Sequence, residues 1–161
     1  MVVILMGVSG AGKTTIGRLL AHTLGWRFLE GDDFHPPANV AKMHAGVPLS
    51  DADREPWLET LRGVLAEAVA RGENVVLACS ALRARYRQVL SVDPAQVRWV
   101  YLQGSPALIA QRLAARKGHF MPPSLLDSQF NVLEEPEGAL GVDVSQGQRA
   151  VIDTIRAGLR L

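Results

Sequence analysis

The sequence GVSGAGKTT at residues 7–15 follows directly on the apolar run MVVILM at residues 1–6. It matches the pattern G-x-x-x-x-G-K-[ST] of phosphate-binding loops at every fixed position. The run before it is typical of a short buried strand, and Ile16, Leu20 and Leu24 fall on one face of a helix after it. Because the pattern binds nucleotide phosphates when a strand precedes it and a helix follows it, the sequence predicts a nucleotide site here.

The fixed positions of this loop each have a physical reason. Glycine has no Cβ, so the backbone can bend tightly and approach an anion closely. The amides of the loop and of the following helix N-terminus then face phosphate. Lys13 supplies a mobile positive charge for the β- and γ-phosphates, and Thr14 supplies a hydroxyl for Mg²⁺. The predicted contacts with ATP are made by Gly7, Ser9, Gly10, Ala11, Gly12, Lys13, Thr14 and Thr15.

Composition limits the class of protein. The chain has 161 residues, is 48% hydrophobic and carries a net charge of +1, which fits one globular domain over residues 1–161 and indicates no nucleic-acid partner. The single cysteine, Cys79, excludes an internal disulfide and fits a reducing compartment. The six residues before Gly7 are too few for a signal peptide, and no apolar run reaches the roughly 20 residues of a membrane span. We therefore expect a cytoplasmic protein without a membrane partner.

Strand and helix patterns alternate along the chain, which favours an α/β fold with a parallel sheet sandwiched by helices. The residues after the second predicted strand, 31–37, form a polar loop at the sheet edge where ligands of such folds sit. Five strands are predicted at about 2–6, 26–30, 74–79, 97–102 and 142–144. Helices are predicted at about 13–24, within 38–49, from about 51 to 71, and at 82–91, 105–116, 124–133 and 147–159.

Several protein classes share the phosphate loop, and the rest of the chain separates them. A GTPase needs an Asn-Lys-x-Asp guanine site, which the sequence lacks. A motor or AAA-type ATPase needs an acidic pair after a buried strand, where this chain has Ala78-Cys79-Ser80. The small-molecule and nucleoside-monophosphate kinases remain. They carry a helical substrate insert after strand two, here about 34–60, and an arginine-rich lid, here about 112–125.

The lid prediction depends on Arg112 and Arg116, which are four residues apart and so share a helix face. They lead into the glycine- and proline-rich stretch 117–123. A solvated basic face is the alternative for such a pair. Beside a phosphate loop we favour a lid that binds ATP and stabilises the charge of phosphoryl transfer.

A series of stretches resembles the gluconokinases of the thermoresistant, shikimate-kinase-like family of P-loop kinases over about residues 2–145. The resemblance implies ATP-dependent, Mg²⁺-assisted phosphorylation of D-gluconate at its 6-hydroxyl by direct in-line transfer, and a homodimer. Shikimate kinases have Asp-x-Asp where this chain has Glu30 and Asp32. The stretches are GVSGAGK at 7–13, EGDDFHP at 30–36, Asn39, Lys42-Met43, GVPL at 46–49, DREPWL at 53–58, CSALR at 79–83, Tyr86-Arg87, Arg112-Leu113, RKGHF at 116–120, Gln129-Phe130, Leu133-Glu134 and Pro136.

Roles follow for particular side chains. Asp32 lies where it could orient or deprotonate the attacking hydroxyl, or simply form a turn, and with Lys13 and Arg116 it makes up the predicted catalytic set. His35 is a candidate donor to a sugar hydroxyl, or a residue that caps the loop before Pro36. A carboxylate substrate calls for cations, and the candidates are Arg54, Arg83 and Arg87, each of which could instead form a surface ion pair.

Two other functions stay open from the sequence. One is a kinase for another small polyol acid, such as shikimate. The other is a non-catalytic module that senses nucleotides, although the presence of Lys13, Asp32 and Arg116 together counts against it.

Overall fold

The computed structural model describes residues 1–116 and 123–161, in which five strands alternate with helices. The predicted lid lies partly on residues 117–122, which are outside the described residues. The elements are β1 (Val2–Met6), α1 (Lys13–Leu24), β2 (Arg27–Glu30), a 3₁₀ turn (Gly31–Phe34), α2 (Pro37–His44), α3 (Asp51–Ala70), β3 (Val75–Ala78), α4 (Ala84–Leu90), β4 (Val97–Gln103), α5 (Pro106–Ala114), α6 (Pro123–Val132), β5 (Leu140–Asp143) and α7 (Gln148–Leu159).

The five strands form one parallel sheet in the order β2-β3-β1-β4-β5. This confirms the predicted α/β architecture. After β1 the chain adds β2 and β3 on one side of that strand and then β4 and β5 on the other, so β1 lies between β3 and β4. Ligands of open parallel sheets bind at the carboxyl ends of the strands where the order reverses in this way. The phosphate loop begins at that end of β1.

Helices cover both faces of the sheet, and this explains why its central strands are apolar throughout. Every residue of β1 and β3 is buried, as expected of parallel strands covered on both sides. Because side chains alternate between faces along a strand, Val3 and Leu5 pack into one core cluster with α1, α5 and α7. Ile4 and Met6 pack into the other cluster with α3 and α4.

The structure differs from the sequence prediction mainly after β2. Residues 31–34 form a 3₁₀ turn instead of an irregular loop, and β5 begins at Leu140, two residues before the predicted strand. The Gly31 backbone lies so close to β3 that a Cβ there would be 2.7 Å from the Ala78 carbonyl oxygen. That close approach fixes where the turn starts. Among the described residues, no helix combines the length and the apolar composition needed to cross a membrane.

Candidate active site

Two adjoining cavities open at the carboxyl edge of the sheet around the phosphate loop. The smaller, about 120 Å³, is where Lys13, Thr14, Asp32 and Arg116 come together. The larger, about 300 Å³, shares Gly10, Gly12 and Arg116 with it. The smaller cavity is lined by Ser9, Gly10, Gly12, Lys13, Thr14, Glu30, Asp32, Cys79, Ser80 and Arg116. The larger is lined by Gly10, Ala11, Gly12, Thr15, Ile16, Arg112, Arg116, Val144, Gln146, Gly147, Gln148 and Val151.

The phosphate loop holds its shape through bonds of its own. The Ala11 amide donates to the Val8 carbonyl at 3.2 Å, and Lys13 Nζ donates to the same oxygen at 2.9 Å. Gly10 has φ +84°, and a Cβ there would lie 2.8 Å from Leu113 of α5, so both the backbone angle and the packing favour glycine. The first amides of α1 have no acceptor within the helix, which leaves them available to an anion.

The sequence predicts that Gly7 contacts ATP, but the structure places it away from both cavities. It lines neither cavity, and its amide donates to the Ser80 carbonyl at 3.3 Å. This bond joins the end of β1 to the loop after β3. We therefore assign Gly7 to the support of the phosphate loop.

Charge in the smaller cavity is mixed. Burial lowers the pKa of the Lys13 amine, and the nearby carboxylates of Asp32 and Glu30 oppose that shift. Thr14 Oγ1 donates to Glu30 Oε2 at 2.5 Å, so the loop hydroxyl and the end of β2 are in direct contact. Burial also raises the pKa of the Cys79 thiol to about 12, which makes this cysteine a packing residue rather than a nucleophile.

Asp32 owes its position to the 3₁₀ turn and to what supports the turn from below. The indole Nε1 of Trp57, in α3, donates to the Gly31 carbonyl at 2.8 Å, and this bond is buried. The His35 ring stacks on Trp57 with centroids 4.3 Å apart and planes at 14°. The Asp32 side chain itself is 73% exposed. Its carboxylate thus faces the cavity while its backbone is held by the core.

His35 lies beneath Asp32 and is almost fully buried, with 4% of its side chain exposed. Asn39 Nδ2 donates to the Asp53 carbonyl at 2.8 Å, which fixes the orientation of the amide, and the same nitrogen is 3.2 Å from His35 Nδ1. Since Nδ2 is a donor, the neutral ring carries its proton on Nε2, 3.8 Å from Asp32 Oδ1. Burial lowers the pKa of His35, which favours this neutral form.

The predicted arginines occupy distinct places. Arg112 donates to the Val144 carbonyl at the wall of the larger cavity, and Arg116 is exposed between the two cavities. Arg54 donates to the Leu49 carbonyl at 2.9 Å and lies close enough to His35 to lower its pKa. Arg83 is half-buried at the start of α4.

Arg87 does not fit the substrate contact predicted for it. Its buried guanidinium donates to the carbonyls of Ala81, Leu82 and Glu134 at 2.9–3.0 Å. These bonds hold the loop after β3, in which Ala81 has the unusual φ of +44°. The spacing of Arg83 and Arg87 indicates a shared helix face, but helix α4 turns Arg87 toward the protein. The structure gives Arg87 a structural role.

A contact between α6 and the phosphate loop could not be predicted from the sequence. The side-chain amide of Gln129, in α6, forms two hydrogen bonds with Ser9 of the phosphate loop. The two residues are 120 positions apart, and no local pattern connects them. The carboxylate of Glu134, just after α6, likewise accepts from the Ala84 amide at the start of α4 at 2.5 Å.

Comparison with known proteins gives one consistent result. Residues 2–136 match the family model of an AAA domain. The chain is 52% identical to a gluconokinase of Gluconobacter oxydans over 133 residues, 83% of this chain and 75% of that protein. It is 51% identical to a probable gluconokinase of Mus musculus over 152 residues, 84% of this chain and 83% of that protein. A gluconokinase structure from Sinorhizobium meliloti 1021 has a TM-score of 0.87 at 42% identity, covering 98% of this chain and 90% of that one.

More distant structures share the fold alone. A shikimate kinase from Bacteroides thetaiotaomicron has a TM-score of 0.72 at 20% identity, with 100% of this chain and 99% of that chain covered. Although the matching family model is that of an AAA domain, this chain has Cys79 and Ser80 after β3 in place of an acidic pair, and its cavity carboxylates come from Glu30 at the end of β2 and Asp32 in the following turn. The phosphate loop, the kinase fold and the identity to these relatives over more than four-fifths of the sequence show that the chain belongs to the gluconokinase family of P-loop kinases.

Proposed function

We propose that the protein phosphorylates D-gluconate at its 6-hydroxyl with ATP, giving 6-phospho-D-gluconate and ADP. The observation that carries the proposal is the convergence of Lys13, Thr14, Asp32 and Arg116 on one cavity of about 120 Å³. A phosphate-binding cation, a metal-binding hydroxyl, an acceptor for the hydroxyl proton and a second cation are the groups that phosphoryl transfer needs. Family membership supports gluconate as the substrate.

The reaction follows from where these groups lie. Asp32 accepts the hydrogen bond of the substrate hydroxyl and takes its proton as the oxygen attacks the γ-phosphorus. A new oxygen–phosphorus bond forms and the bond to the β-phosphate oxygen breaks, so that ADP leaves. Lys13 and Arg116 stabilise the negative charge on the transferred group, and the loop amides hold the β-phosphate.

Mg²⁺ fits the oxygen atoms on this edge of the sheet. Mg²⁺ prefers hydroxyl, carboxylate, water and phosphate oxygens, with one or two protein groups contributing. Thr14 would bind it directly, and Glu30, which already contacts the Thr14 hydroxyl, would hold one of its waters. The ion would neutralise phosphate charge. Among the described residues, no group of three or more His, Cys, Asp or Glu side chains forms a metal site without phosphate.

The remaining contacts divide between the two ligands. The cavity of about 300 Å³ beside Thr15 and Arg112 has room for the nucleoside part of ATP. The gluconate hydroxyls and carboxylate would bind to His35, which is 3.8 Å from Asp32, to Arg54 beside His35, and to Arg83 at the start of α4, since guanidinium groups pair well with carboxylates. A homodimer and a cytoplasmic location remain predictions from the family resemblance and the composition.

The direct test is an assay of ADP release. The purified protein is incubated with ATP and Mg²⁺, and with gluconate, shikimate or no acceptor. We expect release that depends on gluconate and greatly exceeds release with shikimate. Equal rates with all three would exclude a gluconate kinase, and nucleotide binding without any release would favour a sensing module.

Asp32→Asn tests the assignment of the proton acceptor. The amide keeps the size of the side chain and suits the same turn, but it loses the charge and the basic oxygen. We expect kcat to fall roughly 10²–10⁴-fold, as for a positioned general base, with little change in ATP affinity. Asp33→Asn, in the same 3₁₀ turn, is the matched control and should keep near-normal kcat. Near-normal kcat in Asp32→Asn would return the role to Glu30 or to no base at all.

A further inference from the structure

The contact between α6 and the phosphate loop is formed by one side chain at each end. Gln129 Oε1 accepts from the Ser9 amide at 2.7 Å, and Gln129 Nε2 donates to Ser9 Oγ at 3.0 Å. Both residues are half-buried, and Ser9 lines the cavity that holds Lys13 and Asp32. The amide thus binds Ser9 through both of its polar atoms, beside the reacting groups.

These two bonds determine what Ser9 can offer a ligand. The Ser9 amide is already used, so it is not one of the loop donors to phosphate. A serine hydroxyl has one proton and two acceptor lone pairs, and Gln129 Nε2 occupies one of the lone pairs. The hydroxyl proton therefore points away from Gln129, and Ser9 lines the cavity in which the γ-phosphate would lie.

We propose that Gln129 is a positioning residue for phosphoryl transfer, which orients Ser9 so that its hydroxyl donates to the transferred phosphate group. The inference rests on the proposed function for the identity of the acceptor substrate. Ser9 makes the contact with phosphate, and Gln129 acts through Ser9. The role requires a side chain with both a donor and an acceptor at this reach. Glutamate has acceptors alone, so it would attract the Ser9 proton to itself and bring a negative charge toward the phosphates.

The position of Gln129 is well supported without Ser9. Leu126, one turn earlier in α6, is buried in the core beside the phosphate loop, and Phe130 packs against the same cluster. The Gln129 carbonyl accepts from the Leu133 amide at 3.0 Å, which continues the last turn of the helix. Loss of the Gln129 amide should therefore leave α6 and the fold in place.

The experiment compares Gln129→Ala, Gln129→Glu, Ser9→Ala and the double variant Ser9→Ala/Gln129→Ala with the wild-type protein. Ser128→Ala, on the exposed part of the same helix, is the control and should behave as wild type. The measurements are kcat and KM for gluconate, the affinity for a non-hydrolysable ATP analogue with Mg²⁺, and the melting temperature.

We expect Gln129→Ala to lower kcat about 10- to 100-fold, the effect of one hydrogen bond to a charged group, with KM for gluconate within about twofold. Gln129→Glu should lower kcat further. Ser9→Ala should match Gln129→Ala, and the double variant should be no slower than either single variant, because both remove the same interaction. Multiplicative losses in the double variant, or normal kcat in Gln129→Ala at an unchanged melting temperature, would overturn the inference.

The outcome for the proposed function is read separately. If the wild-type protein does not phosphorylate gluconate, the proposed function fails, and affinity for the ATP analogue still tests the Ser9 contact. We then expect equal losses of affinity in Gln129→Ala, Ser9→Ala and the double variant. Wild-type affinity in all three would overturn the Gln129 inference alone.

Discussion

Loss of the Lys13 side chain should impair phosphoryl transfer without affecting the fold. Lys13 is half-buried, its Nζ bonds to the Val8 carbonyl, and it faces the cavity rather than the core. We expect Lys13→Ala to keep the fold and to retain less than about a tenth of wild-type kcat, because a cation on the phosphates supplies several kcal/mol in the transition state. Arg18→Ala, which removes an exposed cation from the same helix, is the control. Steady-state kinetics on the folded variants measure kcat, and near-normal kcat in Lys13→Ala would contradict the role assigned to this lysine.

His35 should make folding stability depend on pH in mildly acidic solution. Burial holds its pKa below 6.5, an effect that Arg54 adds to and Asp32 opposes. The unfolded chain takes up this proton at a higher pH than the folded chain, so stability falls as pH drops below about 6.5. We expect His35→Phe, which cannot titrate, to lose part of the difference in melting temperature between about pH 7.5 and about pH 5. The exposed His22, replaced by Phe, should leave that difference unchanged, and equal behaviour of the two variants would exclude His35 as the source.

The sequence predicts where some of these residues lie and misses others, for physical reasons. Lys13 and Thr14 lie in a local pattern whose spacing determines their geometry. Asp32 could be found because strand ends meet at one edge of a parallel sheet. Arg87 could not be assigned correctly, since spacing shows that two residues share a helix face but not what that face packs against. Gln129 belongs to the stretches that resemble the family, but no local pattern predicts its role, because its partner lies 120 residues away.

At the scale of elements, the predicted substrate insert depends on how α2 is attached to α3. Lys42 Nζ bonds both Asp53 carboxylate oxygens at 2.9 Å, and Asp53 also completes a capping box with Ser50 at the start of α3. The Lys42 bond and the Ser50 amide lower the pKa of Asp53 to about 2. Because the folded pKa is depressed, this contribution to stability is present above the ordinary range of aspartate and is lost as pH falls toward 2.

Asn39 is the buried link of that attachment, with 3% of its surface exposed. Asn39→Ala removes its bond to the Asp53 carbonyl and its contact with His35, and we expect a loss of about 1–3 kcal/mol of folding free energy. Because His35 supports Asp32, kcat/KM for gluconate should fall while affinity for an ATP analogue stays the same. Val40→Ala, on the exposed side of α2, should change neither quantity. If kcat/KM for gluconate and affinity for the ATP analogue fell equally, α2 would have no specific effect on the binding of gluconate.

For the whole molecule, stability should depend on the two-sided core rather than on the surface. Leu77 lies in β3 with no exposed area and packs into the cluster beneath α3 and α4. We expect Leu77→Ala to cost about 2–5 kcal/mol, through lost burial and a residual cavity. Val47→Ala, at a residue that is 47% exposed, should stay within about 0.5 kcal/mol of wild type. Urea unfolding measures both, and similar midpoints would contradict the assignment of Leu77 to the core.

The strand order has a consequence for how the protein is made. β1 and β2 are consecutive in the chain but not neighbours in the sheet, because β3 lies between them. A growing chain therefore carries two strands without a sheet partner until residues 75–78 have been added. At roughly 5–20 residues per second, synthesis from the end of β1 to the end of β3 takes about 4–14 s. During it the apolar run before the phosphate loop is open to chaperones. The site for ATP is completed later still, after Gln129 has reached Ser9 and residues 144–151 of the larger cavity have left the ribosome.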